Sequence, residues 1–312
     1  MAMGDATGAP APRQSFRAYV RARREDALST GDGPALYAHP VDSALLNALS
    51  TTGWRFYVDD LINAFIKVFL GTVLRDSVWV SPRQFPDVHR LLARCAERLG
   101  IPIPRLLLGG NAANLMAFTT GTDQDCFIYA SALMVREYAP EELLFVIGHE
   151  CGHIHNHHVT YGTLAQVLYR NLLGKVIRVY TWPVLFATLV PLRTWSRRAE
   201  ITADRAGLLC CRDIDVARKA LIKLRLGFDA LMRDLNVEEF LQQEKELRRE
   251  SFAVRARELF YTHPLIVKRI KALELFARSE LYHDLADLPR PAGPLLDRAA
   301  LERETAAIVK VL

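Results

Sequence analysis

Apolar residues recur at helical spacing from residue 140 to about residue 158, most clearly in the run between Leu143 and Ile147. Pro140 and the two glutamates after it mark the start of this helix. Proline suits a first helical turn, and acidic side chains complement the positive end of the helix dipole. The pattern therefore predicts one helix over residues 140–158.

Short apolar segments upstream of this helix predict strands. One strand covers residues 105–108, and two more flank a turn at residues 121–123, where β-branched and aromatic residues stand on both sides of a glycine. Ser81 followed by proline predicts a helix that ends near Gly100. The predicted fold class is α+β: mainly helical, with a small β-sheet packed on the helix over 140–158.

Composition predicts three segments along the chain. Residues 1–52 form an N-terminal segment whose first part, through Arg13, is rich in Ala, Pro and Gly and lacks the apolar stretch of a signal peptide, so we expect it to be disordered. Residues 53–283 form the main domain, with an apolar insertion at about 159–195. Residues 284–312 form a proline-rich linker and a C-terminal helix.

The predicted helix over 140–158 contains His149-Glu150-Cys151-Gly152-His153. His149 and His153 are four residues apart, so both imidazoles lie on one helix face, with the carboxylate of Glu150 beside them. This arrangement is typical of a zinc ion and the base that activates its water. Gly152 lowers helix propensity by about 1 kcal/mol relative to alanine, which suggests a close approach by a neighbouring helix.

A second motif lies downstream, in residues 197–207, which also have a helical pattern with Ser196 as a candidate N-cap. Glu200 and Asp204 are four residues apart and share a face. We interpret Glu200 as the third metal ligand and Asp204 as the acceptor that holds one histidine by its other ring N–H. The alternative is that both carboxylates lie on the surface and pair with neighbouring arginines.

Together these residues resemble peptidase family M48, gluzincin metalloproteases that include HtpX and the CAAX prenyl proteases. The likeness rests on HExxH at 149–153, ExxxD at 200–204, and Thr262-His263-Pro264 followed by Arg269-Ile270, and it runs from about residue 81 to 273. It implies a gluzincin metalloprotease domain with one zinc ion as cofactor.

The resemblance implies a role for each motif residue. His149, His153 and Glu200 would hold the zinc ion, and Glu150 would act as general base. His263 would lie near the metal, where it would stabilise the oxyanion or cap the zinc. The alternative is that His263 only orders the turn before the proline.

Upstream, the resemblance implies that Met116, Ala117 and Phe118 belong to an edge strand that lines the cleft and pairs with an extended substrate. Met116 stands where the family usually has asparagine, which puts substrate contacts through that side chain in question.

Three further histidines follow the metal motif. Helical spacing places His157 one turn farther along the ligand face, whereas His155 and His158 point elsewhere. Histidines are common in the last turn of a helix because they favour its dipole, so we do not expect a second metal site.

Charge and cysteine content narrow the choice of partners and compartment. The net charge is +5 and the pI is about 9.0, but no basic run is dense enough to predict nucleic-acid binding. Five cysteines without CxxC spacing favour a reducing compartment, hence a cytoplasmic location. The uncharged stretch over 179–192 has only 14 residues, against about 20 for a spanning helix. A fully water-exposed domain, a peripheral contact with the inner face of the membrane and a membrane span therefore stay open.

These features lead to a hypothesis of zinc-dependent metalloendopeptidase activity on extended or unfolded polypeptides. Two alternatives remain: a catalytically silent protease fold that serves as a scaffold or chaperone-like binding module, and a CAAX-type prenyl-peptide protease. The intact Glu150 favours an enzyme. The sequence predicts neither the natural substrate nor the oligomeric state.

Overall fold

The structure of the protein is a computed structural model. The described residues are 35–40, 75–110, 114–123, 125–165, 182–242 and 263–310. Most of the predicted N-terminal segment, and residues 166–181 of the predicted apolar insertion, lie outside them. The division into three segments stays a prediction.

In the part of the chain that the structure describes, four strands form one mixed sheet in the order β1-β2-β4-β3. The central strands β2 and β4 are parallel, and each pairs with its outer neighbour in antiparallel fashion. The strands are β1 (Ser77–Trp79), β2 (Arg105–Gly109), β3 (Ala117–Gly121) and β4 (Cys126–Ser131).

Eight helices with defined bounds surround this sheet within the described residues, together with helical segments at 159–165 and 237–242 and a 3-10 turn at Asp229–Arg233. They are α1 (Pro86–Arg98), α2 (Ala132–Glu137), α3 (Pro140–His155), α4 (Trp182–Cys211), α5 (Ile214–Leu226), α6 (Ile266–Ala277), α7 (Glu280–Ala286) and α8 (Arg298–Val309). The predicted α+β class, mainly helical with a small sheet, is confirmed.

Helix α3 lies between the sheet and α4 and is almost entirely buried. Its start is held by Glu142, whose carboxylate accepts a hydrogen bond from the Ala139 amide at 2.8 Å. The same carboxylate lies 2.5 Å from the buried Lys223 ammonium on α5. Asn156 ends the helix by donating both its backbone and its side-chain N–H to the Gly152 carbonyl.

Small residues bring α3 and α4 into close contact. A Cβ atom on Gly152 would lie 2.5 Å from Cβ of Ala206, and one on Gly148 would lie 2.5 Å from Cβ of Cys210. A Cβ atom on Gly207 would come within 2.7 Å of the Phe145 carbonyl oxygen. The predicted close approach of a neighbouring helix at Gly152 is confirmed.

Two predicted helix starts are wrong. The chain from Ser81 to Gln84 forms a turn closed by two backbone hydrogen bonds, and the helix begins only at Pro86, after Phe85 with φ 58°. Two prolines suited to a first turn stand four residues apart, so local signals could not select the second. Likewise Ser196 lies inside a helix that runs from residue 182 to 211.

Among the residues that the structure describes, no helix combines the length and the apolar character that a bilayer crossing needs. Part of the uncharged stretch at 179–192 lies outside those residues. The predicted cellular location stays a prediction.

Candidate metal centre and catalytic cleft

The predicted ligand residues lie together where α3 and α4 cross. The Nε2 atoms of His149 and His153 are 3.2 Å apart. Glu200 on α4 approaches both: its Oε2 lies 3.7 Å from Nε2 of His149, and its Oε1 lies 3.4 Å from Nε2 of His153. These three residues form a group that could hold a metal ion.

The donor atoms suit a transition metal such as zinc, which imidazole nitrogens and carboxylate oxygens bind. One ligand atom from each of the three residues lies within 4.8 Å of the other two. Two imidazole nitrogens and one carboxylate oxygen also leave a fourth position for water, as in catalytic zinc sites.

Asp204 orients the first histidine. Its Oδ1 lies 3.0 Å from Nδ1 of His149; a proton on Nδ1 is donated to this carboxylate and leaves the Nε2 lone pair for a metal. Burial alone would raise the pKa of Asp204. The charge and hydrogen bonds of Arg269 outweigh that effect and lower this pKa, so Asp204 is ionised.

Arg269, on α6, neutralises both buried carboxylates. Its guanidinium donates to the two oxygens of Asp204 at 2.8 and 2.6 Å and lies 3.4 Å from Oε2 of Glu200. Burial acts to lower the pKa of Arg269, but the two carboxylates raise it on balance. In the sequence, Arg269 stands out only as part of a motif. An arginine on an amphipathic helix usually lies at the surface, so nothing local indicated this contact.

Glu200 and Asp204 are not surface residues, since they are 5% and 1% exposed. Burial acts to raise the pKa of Glu200, yet the charges of His263 and Arg269 hold it well below its usual range. The neighbouring Arg205 pairs elsewhere, with Glu302 on α8. The alternative of surface carboxylates paired with neighbouring arginines is therefore wrong.

The second histidine is supported by His158, which sequence analysis placed away from the ligand face. Nδ1 of His158 lies 3.1 Å from Nδ1 of His153, and its ring packs edge-on against Trp195. Helix α3 ends at His155, and His157 has φ 58°. That left-handed residue turns the chain and places His158 beside the ligand, so the helical extrapolation was wrong.

Glu150 is 5% exposed and is held by Thr119 of β3, whose hydroxyl donates to its Oε2 at 2.6 Å. Ala117 and Glu150 both line a small apolar cavity between the sheet and α3. The Phe118 ring stacks on Tyr129 with centroids 5.0 Å apart, and Met116 is 38% exposed. The sequence predicts the strand but not the role of Thr119, because a threonine in a strand carries no signal of its partner.

His263 lies at the open side of the centre. Its Nδ1 is 2.7 Å from Oε2 of Glu200, while its side chain is 61% exposed. The structure thus brings all the predicted motif residues, including this distant histidine, into one region.

The family model described as Peptidase family M48 matches residues 82–277. The chain belongs to peptidase family M48. Membership in M48 makes it a metallopeptidase, and the match covers β2, β3, β4, α3, α4 and α6, which contribute the residues of the centre.

Curated relatives agree with this assignment. The chain is 29% identical over 245 residues to the plastoglobule-localized metallopeptidase 48, chloroplastic, of Arabidopsis thaliana, which covers 72% of this chain and 69% of that protein. It is 32% identical over 133 residues to a protease HtpX homolog of Acaryochloris marina (42% and 40%). It is 25% identical over 237 residues to one of Moorella thermoacetica (62% and 73%). Each relative is named as a peptidase or protease.

Proposed function

We propose that this M48 chain is a zinc-dependent metalloendopeptidase that hydrolyses peptide bonds in extended or unfolded polypeptides. One Zn²⁺ is held by His149, His153 and Glu200. The observation that carries this proposal is the convergence of the three ligand atoms within 4.8 Å of one another, with the intact Glu150 carboxylate fixed beside them by Thr119.

The chain's own groups supply the proton transfers. When bound, zinc lowers the pKa of water towards ~7 and polarises the substrate carbonyl. Glu150 takes the proton of the attacking water and delivers it to the leaving amine. The Thr119 hydroxyl donates to Oε2 of this carboxylate and so fixes its position.

His263 is the one polar side chain of the centre that combines a contact with a ligand and large exposure. In this proposal it stabilises the oxyanion, or it covers the metal until substrate arrives. Substrate binds along β3, at Met116, Ala117 and Phe118, as an added strand.

The test compares the wild type with Glu150→Gln, using Glu141→Gln as a matched control, since Glu141 is exposed on the same helix. Bound zinc is measured by elemental analysis, and cleavage of an unfolded protein is followed by gel and mass spectrometry. We expect zinc in all three proteins and cleavage by the wild type and the control only.

Other results would point elsewhere. If Glu150→Gln cleaves the substrate as well as the wild type does, Glu150 is not the general base. Wild-type protein that binds the unfolded substrate without cleaving it, at full zinc occupancy, would support the alternative of a chaperone-like binding module. Chelation of the metal is expected to abolish cleavage, and added Zn²⁺ to restore it.

A further inference from the structure

The backbone N–H and C=O groups of β3 point alternately towards β4 and away from the sheet. The Ser131 amide donates to the Met116 carbonyl at 2.9 Å, and Thr122 exchanges two backbone hydrogen bonds with Asp125. In the antiparallel register of β3 and β4, the even-numbered residues from 116 to 122 therefore pair with β4. The odd-numbered residues direct their N–H and C=O groups away from the sheet.

Two of these outward amides are occupied by the helical segment at 159–165. The Gly121 amide donates to Oγ1 of Thr163 at 3.1 Å, and the Asp123 amide donates to Oγ1 of Thr160 at 3.0 Å. Both threonines are 1% exposed. They are three residues apart, so they lie on one face of the segment, which here takes the place of a partner strand.

The other end of the same edge is different. Within the described residues, no partner is placed on the outward groups of Ala117 and Thr119, and both residues are only partly buried, whereas Gly121 is buried. Thr119 carries the hydroxyl that holds Glu150. The exposed end of the edge is therefore the end beside the catalytic base.

The distance between Glu150 and the covered part of β3 limits how many substrate residues can pair with the strand. Thr119 and Gly121 are two residues apart, which corresponds to about 7 Å along a strand at about 3.4 Å per residue. An extended substrate added to the edge has the same rise per residue. About two of its residues fit between the position beside Glu150 and the covered amide of Gly121.

We propose that the segment at 159–165 is an end wall of the substrate cleft, set by the Thr160 and Thr163 hydroxyls. On the walled side of the scissile bond only about two substrate residues pair with β3, and the third must leave the sheet. The inference rests on the proposed peptidase function and adds a length limit to its substrate class.

The test uses two nested peptide series around one scissile bond, extended by single residues towards the N-terminus or towards the C-terminus. In one series we expect kcat/KM to rise through the second residue and then to change by less than twofold. N-methylation of a paired backbone amide in the first two positions should lower kcat/KM at least tenfold, and beyond them by less than twofold. If kcat/KM keeps rising through the fourth residue in both series, the proposal is overturned.

Variants of the wall provide the matched control. Thr160→Ala combined with Thr163→Ala removes both hydroxyls. In this variant we expect the third substrate residue to raise kcat/KM. The double serine variant keeps both hydroxyls and should retain the wild-type limit. If the alanine variant is folded, as judged by circular dichroism, and keeps the limit of two residues, the proposal is overturned. If the variant does not fold, the wild-type peptide series still tests the proposal.

The same series is measured as dissociation constants on Glu150→Gln, by fluorescence anisotropy. If the wild type cleaves no peptide, the proposed function fails, while a plateau after two residues in these constants still supports the wall. Affinity that keeps rising on both sides, or no binding by any peptide, would overturn the wall.

Discussion

Alanine in place of Gly152 tests whether the close contact of α3 and α4 holds the metal ligands together. The added Cβ would lie 2.5 Å from Cβ of Ala206 and 3.2 Å from Cα of Ala203. Carbon atoms in contact normally stand about 3.5–4.0 Å apart. Neither neighbour can rotate away, because one is a methyl carbon fixed to the backbone and the other is backbone itself. The two helices must separate by about 1 Å.

The expected cost follows from two opposing effects. Overpacking a tight core costs about 1–3 kcal/mol, and the rigid neighbours place this site at the upper end. Alanine regains about 1 kcal/mol of helix propensity over glycine. The variant should therefore lose about 2 kcal/mol of unfolding free energy. Zinc affinity should also fall, because the separation moves Glu200 on α4 away from His153 on α3.

Urea unfolding of the metal-free proteins, followed by circular dichroism, measures the first effect. Gly162→Ala is the matched control: this glycine lies in the helical segment at 159–165, and nothing stands within 4 Å of its Cβ position. It should gain up to about 1 kcal/mol. Adding Ala206→Gly to Gly152→Ala should recover part of the loss. If Gly152→Ala were as stable as the wild type, the steric reasoning would be refuted.

Three other predictions concern the surroundings of the site. Asp204→Asn should weaken zinc binding about 10–100-fold in a competition titration, because the charged acceptor behind His149 is lost; unchanged affinity would contradict its orienting role. Arg269→Leu removes the positive charge that neutralises two buried carboxylates and should cost about 3–5 kcal/mol in urea unfolding, and a loss below about 1 kcal/mol would show that solvent reaches them. Burial raises the pKa of the Cys126 and Cys151 thiols and the thiolate is the reactive form, so a thiol reagent at pH 8 should label them only after unfolding. Rapid labelling of the folded protein would contradict their burial.

Much of the centre could be predicted from short-range patterns. The interval of four residues between His149 and His153 specifies a shared face once the segment is helical, and the same holds for Glu200 and Asp204. The glycine at 152 could also be explained in advance, because its cost in a helix requires a packing reason. Each of these inferences needs only the local periodicity of a helix.

The supporting contacts required the folded chain. His158 is near the motif in sequence, but its place depends on the left-handed residue at 157. Thr119 and Arg269 lie 31 and 119 residues from Glu150, and their contacts exist only because β3 packs on α3 and α6 packs on α4. No local signal specifies which distant arginine will neutralise a buried carboxylate.

The donor side chains of the centre, and the helix faces that they share, follow from local sequence patterns. The charge balance around these groups and the closed end of β3 follow from contacts between distant segments. Arg269 keeps Asp204 ionised, Thr119 positions Glu150, and the threonines at 160 and 163 close one end of β3. The difference arises from how far apart in the sequence the interacting residues lie. Helical periodicity acts over a few residues, whereas burial, charge neutralisation and edge coverage arise between segments that meet only on folding.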